Sequence, residues 1–152
     1  MKYWWVNQNK TGKQEVEGGY MWSPKLNSVG RQEYHWENMT KVKKGDIVFS
    51  YYDKKIQCIG MIRGKAYDCL RPGNFGETGE AWDRDGWKVD VIYKELSSPL
   101  DHRDFWKKLQ PLLPEKYSPI NYNTHPREGY LFEVPDAMAA LIFGNLIIDQ
   151  LS

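Results

Sequence analysis

An α+β fold with a mixed, curved sheet or a small barrel is what the sequence predicts, on three observations. Strand-type segments come from the start, the middle and the end of the chain, helical segments are inserted between them singly, and no regular β-α-β alternation appears. That order argues against a doubly wound nucleotide-binding sheet. The 152 residues suit one domain, 1–152, with one hydrophobic core.

The first strand is KYWWVNQ, Lys2 to Gln8, aromatic and β-branched until an Asn/Lys/Gly cluster stops it. Trp4 and Trp5 point to opposite faces there, so at most one is expected to face a core. A polar, glycine-rich stretch follows through Gly30, and within it GGYMWSPKLNS, 18–28, places Tyr20, Met21 and Trp22 between glycines and a proline. That punctuation predicts a loop holding out a tryptophan. EYHWENMTKV reads as a short helix that runs into the turn KKGD. DIVFSYYD and KKIQCIGMIRGKAYD then form a hairpin about the turn Asp53-Lys54-Lys55. Leu70 to Ala81 read as loop. GWKVDVIYKEL alternates Trp87, Val89 and Val91 with Lys88 and Asp90, the period of a strand with one buried face. Pro99 and Asp101 open a helix, with Asp101 as its N-cap, and Pro111 ends it. A loop leads to the short strand GYLFEV, and Pro135 begins a final helix, PDAMAALIFGNLIIDQL, apolar almost all round.

Composition is ordinary except in one respect. The chain is 41% hydrophobic and 27% charged, but seven tryptophans and ten tyrosines exceed what such a core requires, so part of the surplus belongs at a surface or pocket. A formal net charge of +1 gives the whole-molecule field no strong sign, so a basic footprint must be local. Such clusters exist: Lys41, Lys43 and Lys44; Lys54 and Lys55; Arg63 and Lys65; Lys107 and Lys108. Phosphate contacts need only a few of these on one face. No apolar run approaches the roughly 20 residues that span a bilayer. MKYWWVNQNK has no apolar leader, so Cys58 and Cys69 are expected as reduced thiols in a cytoplasmic protein.

The motifs of common enzymes are missing: no GxSxG, no GxxxxGK[ST], no HExxH and no paired CxxC. His35, His102 and His125 lie in three separate segments, which predicts no metal site. Asp83, Asp85, Asp101 and Asp104 sit among charged neighbours and read as solvated or capping groups, and Cys58 alternates within a strand as a core residue does. The enzyme alternative is a small hydrolase or transferase using His35 or His102 with a nearby carboxylate. Trp22 and Trp82, in separate predicted loops, admit two readings. They anchor their loops to the core, or they form indole walls for a flat base, where stacking is worth about 1–3 kcal/mol per base.

In order, the first strand with its polar turn, GYMWSP, KKGDIVFSY, IQCIGMI and GWKVDV resemble the EVE domain of the PUA-like superfamily, which is related to the YTH readers of methylated RNA. The resemblance covers residues 2–96 and is looser from Pro99 onward. It extends to the amino-terminal specificity domain of modification-dependent HNH restriction endonucleases. It implies a PUA-like DNA-binding domain that takes a flipped, modified base into an aromatic cage. Carried over by position, Trp22 and Ser23 fall on one wall, Trp82 on a second, and a polar contact falls on Asn9, or on Asn7 with a two-residue slip in register. The third wall is unmatched, because only DRDG separates Trp82 from Trp87. Methylated or hydroxymethylated cytosine in double-stranded DNA is the first expectation for the base, N6-methyladenine the second, and an RNA target the next. Lys25, Lys43, Lys44, Lys54, Lys55, Arg63 and Lys65 are then expected on backbone phosphates. The expectation is a binding module without cofactor, metal or catalytic residue, and the chain reads as a fragment whose carboxyl-terminal HNH nuclease lies elsewhere.

Overall fold

Trp4 and Trp5 are both fully buried, which corrects the expectation that one of them faces solvent. The sheet that carries them is covered on both faces. In the computed structural model, which describes residues 1–73 and 85–151, seven strands form this one mixed sheet. The elements run β1 (Tyr3–Asn7), α1 (Gly12–Gly18), β2 (Tyr20–Pro24), α2 (Tyr34–Glu37), β3 (Ile47–Tyr52), β4 (Lys55–Ile62), β5 (Tyr67–Leu70), β6 (Asp85–Leu100), α3 (Trp106–Leu109), β7 (Leu131–Val134) and α4 (Asp136–Leu151).

The strand order is β2-β6-β4-β3-β1-β7, with β5 also paired to β6. β1 is parallel to β3 and antiparallel to β7. β6 is long enough to pair with β4 through its second half and with both β2 and β5 through its first. Register shifts at Ser50/Tyr51 and between Ile56 and Cys58 mark bulges, and bulges increase local twist. The sheet therefore curls into a half-barrel. On one face Trp4, Val6, Met21, Met39, Val48, Val89, Val91 and Leu131 form a core. On the other, Trp5, Phe49, Ile56 and Leu100 pack against Leu109 and, from α4, Met138, Ala139, Ile142 and Leu146. The final helix thus buries one side and leaves Ile147 and Ile148 exposed. No helix among the described residues is long and apolar enough to cross a membrane.

The hairpin appears as predicted, with a tighter turn. Asp53 and Lys54 both have positive φ, 50° and 67°, the two-residue turn that matches strand twist. The strand predicted to run through Asp68 breaks after Ile62 and resumes as β5. Pro99 lies inside β6 and opens no helix, whereas Asp101 does cap, accepting from the Arg103 N–H at 3.0 Å.

The larger correction concerns residues 18–28. Gly18 ends a helix, Gly19 closes it in the left-handed conformation at φ 73°, and Tyr20–Pro24 is a strand whose five residues are all buried. Trp22 is not held out by a loop. Its indole packs against β6 at Gly86, where an added Cβ would come within 2.4 Å of the ring, and its Nε1–H donates to Cys69 O at 2.9 Å. Trp87, expected in the core, is half-buried, with the Lys25 ammonium 4.3 Å from its ring centroid.

Candidate functional site

A cleft of about 900 Å³ opens where the chain leaves β1. Asn7 to Thr11 run through it, tied to one side by Gln8 N–H to Tyr51 O at 2.9 Å and to the other by Asn7 N–H to Tyr130 O at 2.8 Å. Its walls come from β2 (Trp22, Ser23, Pro24), from α2 (His35, Trp36), from the hairpin turn (Tyr51 to Lys54), and from segments 102–103 and 124–130.

Of the predicted base-contacting residues, Asn7, Asn9, Trp22 and Ser23 line this cleft. Trp82 lies outside the described residues. Asn9 is exposed and adopts φ 45°, a conformation asparagine tolerates better than most residues. The Asn7 carboxamide is engaged in the fold: Oδ1 accepts from Trp5 Nε1–H at 2.7 Å and Nδ2 donates to Arg127 O at 3.2 Å. Ser23 Oγ donates to Pro24 O at 3.0 Å. Trp22, fully buried, lets a base stack on its indole only if the groups covering it move aside.

The predicted phosphate contacts divide between two ends of the hairpin. Lys54 lines the cleft, and Lys55 follows it on β4. Lys43, Lys44, Arg63 and Lys65 lie at the other end, because Gly45 N–H bonds Ile62 O there. β4 between them spans eight residues, roughly 26 Å of strand. One nucleotide cannot touch both groups. Lys25 is held by the Asp68 and Asp85 carboxylates. Lys10 and Arg103 line the cleft instead, with Lys54 and the carboxylates of Asp53 and Glu128, and the Arg103 guanidinium is itself paired with Asp101 at 2.7 Å.

Sequence reasoning placed Trp36 in a helix but gave it no role. The structure leaves it half-buried on the cleft wall, against the core that contains Met21 and Tyr130. His35 Nδ1 accepts the Tyr130 N–H at 3.1 Å, and His102 Nε2 lies 2.8 Å from Thr124 O. Both histidines therefore bond to main chain. Burial lowers both below the usual imidazole value, so each is neutral at pH 7. His102 Nδ1 is buried and has no hydrogen-bond partner among the described residues. Cys58 and Cys69 are free, and burial pushes the Cys58 thiol up to about 11. Among the described residues no cluster of His, Cys, Asp and Glu is arranged to hold a metal.

No family model and no curated protein matches the sequence. Solved structures do. A hypothetical protein from Leishmania major aligns over 99% of this chain and 97% of its own, with a TM-score of 0.64 at 15% identity. The YTH domain of the Zygosaccharomyces rouxii MRB1 protein, in complex with N6-methyladenosine RNA, covers 95% of this chain and 86% of its own, with a TM-score of 0.59 at 12% identity. The Toxoplasma CPSF4 YTH domain, in complex with a 7-mer m6A-modified RNA, covers 96% and 90%, with a TM-score of 0.57 at 13% identity. At these identities the likeness is one of fold: an α+β half-barrel with four helices, the fold of the YTH domains.

Proposed function

We propose that this chain reads a modified base in nucleic acid, taking the base into the cleft between β2, α2 and the end of β1. The observation that carries this reading is one cavity that joins aromatic surface at Trp36 to a carboxamide at Asn9 and cations at Lys10, Lys54 and Arg103, in a fold it shares with YTH domains solved with N6-methyladenosine RNA. Each part has a physical task. A base removed from its stack costs a few kcal/mol, and an aromatic face returns about 1–3 kcal/mol of that. A buried methyl adds about 0.8 kcal/mol. A polar group on the base edge supplies identity, because a site built to hydrogen-bond an edge rejects analogues that leave it unpaired. The cations hold flanking phosphates, which position the strand without reading it.

Two bases compete. The fold shared with N6-methyladenosine complexes supports N6-methyladenine in RNA, and the resemblance of GYMWSP, GDIVFSYYD and GWKVDVIY to EVE specificity domains supports 5-methylcytosine or 5-hydroxymethylcytosine in DNA. On the second reading the chain binds and does not cut, and an HNH nuclease acts beside it. We assign the stacking wall of the cleft to Trp36, because Trp22, which also lines it, is fully buried. The enzyme reading, through His35 or His102, predicts activity that survives loss of Trp36 and is abolished by His→Ala.

The test is a gel-shift panel of matched DNA and RNA oligonucleotides carrying cytosine, its C5-methyl and C5-hydroxymethyl forms, adenine or N6-methyladenine. At least tenfold tighter binding of one modified form over its parent is expected. Equal affinity across the panel overturns the proposal.

A further inference from the structure

The side chain at the base of α1 is a buried acid that makes no ion pair. Glu15 is fully buried, and no salt bridge among the described residues includes it. It is surrounded by neutral groups. Oε1 accepts from the Tyr130 hydroxyl and from Gln8 Nε2–H, the latter at 3.2 Å. Oε2 meets Thr11 Oγ1 at 2.5 Å. Gln8 Nε2 also donates to the Tyr93 hydroxyl at 3.0 Å, Ser50 Oγ donates to Gln8 Oε1, and Tyr93 donates to Tyr20 O at 2.9 Å. Tyr130 in turn accepts the main-chain N–H of Trp22 at 3.1 Å. Gln8, Thr11, Trp22 and Tyr130 all line the cleft, and Glu15 joins them from behind.

Counting hydrogens favours the neutral state of this acid. Thr11 Oγ1 lies 2.9 Å from Gln8 O as well as against Glu15 Oε2, yet a threonine hydroxyl has one hydrogen to give. Both contacts are hydrogen bonds only if Glu15 carries the second hydrogen. We propose that Glu15 is a positioning residue for the cleft, a neutral carboxylic acid that fastens Gln8, Thr11 and, through Tyr130, the Trp22 main chain, so that its ionisation loosens the cleft and weakens nucleic-acid binding. This rests on the binding function proposed above, but its structural half stands without a ligand.

Burial, opposed by the hydrogen bonds from Thr11, Tyr130 and Gln8, pushes Glu15 up to about 8. The titratable groups that face it are Tyr130, ahead of β7, and Tyr93 of β6, both raised by burial well above the usual phenol value, with Cys58 of β4 influencing Tyr93. Lys13 and Glu17 of its own helix are exposed. A carboxyl whose native value is raised contributes stability that is complete below the unfolded value near 4.5 and is lost as pH rises toward 8. His35 and His102, lowered by burial from 6.5, contribute with the opposite sign, stability gained as pH rises, and fade toward pH 8, so the difference between the parent and a Glu15 variant reports Glu15.

The experiment compares the parent with Glu15→Gln, which keeps an N–H donor and a C=O acceptor in place of the acid, and with Glu15→Ala. Urea denaturation of the parent should show a folding constant that, relative to Glu15→Gln at the same pH, falls about eightfold in all between pH 6.8 and 8. Glu15→Ala should lack that fall as Glu15→Gln does, but at much lower stability throughout. Binding to the tightest oligonucleotide of the panel should weaken about tenfold for the parent between pH 7 and 9, and the Glu15→Gln profile should be flat. The parent's pH slope persisting unchanged in Glu15→Gln, or Glu15→Gln as unstable as Glu15→Ala, overturns the inference. If no oligonucleotide binds at any pH, the binding function fails and the denaturation series still decides the state of Glu15.

Discussion

Trp22→Ala is expected to lower folding stability by about 3–5 kcal/mol, the cost of truncating a large aromatic in a packed interior, and the melting temperature by about 6–20 °C in a chain of this size. The described contacts of the side chain point that way. The indole is fully buried, it covers β6 where Gly86 leaves room for it, and its donor is satisfied by Cys69 O across the sheet. Its loss leaves a cavity and an unpaired carbonyl. Differential scanning calorimetry checks this, and a melt within about 1 °C of the parent contradicts it. The consequence for function is practical: lost binding in this variant also reports lost packing. Trp36→Ala separates the two, because that ring is half-buried on the cleft wall.

Asp46→Ala is expected to cost about 2–4 kcal/mol. The carboxylate, buried at the start of β3, accepts from Lys2 N–H at 2.9 Å, Trp4 Nε1–H at 3.0 Å and Lys43 N–H at 3.0 Å, and alanine strands all three donors. Burial alone raises the acid, but those hydrogen bonds outweigh it and hold the group below the usual carboxylate value. An acid with a lowered native value adds stability that is complete above about 3.8 and is lost as pH falls through the native value. Chemical denaturation at pH 7 and near pH 3 should therefore show a smaller deficit in acid. An equal deficit at both would contradict this account of Asp46.

How far the sequence carried depended on whether a residue's neighbours were local. The 46–62 hairpin was legible because alternation and a polar turn determine it within a few residues of chain. β2 was not, because two glycines and a proline enclose only three large apolar residues, and all five side chains of that strand are buried, which erases the alternation a half-exposed strand shows. α1 was missed for a related reason: a seven-residue helix bounded by Gly12 and Gly18 has poor propensity and stands on Glu15 packing inward. The burial of both Trp4 and Trp5 required knowing that α4 covers one face of the sheet. In the site, Asn7, Asn9, Trp22, Ser23 and Lys54 were named from the sequence and share one cleft. His35, Trp36 and Tyr130 were not named for it, since folding brings them there from distant parts of the chain. The aromatic surplus was the one signal that could have pointed to Trp36.

The central claim is that this cleft holds the modified base. Backbone amide and tryptophan indole shifts, recorded while a modified oligonucleotide is added, test it most directly. The account predicts changes concentrated at Asn9, Lys10, Trp36, Lys54 and Gly129, larger for the modified strand than for its unmodified twin. Changes identical for the two strands, or centred on Arg63 and Lys65 at the far end of the hairpin, would contradict it.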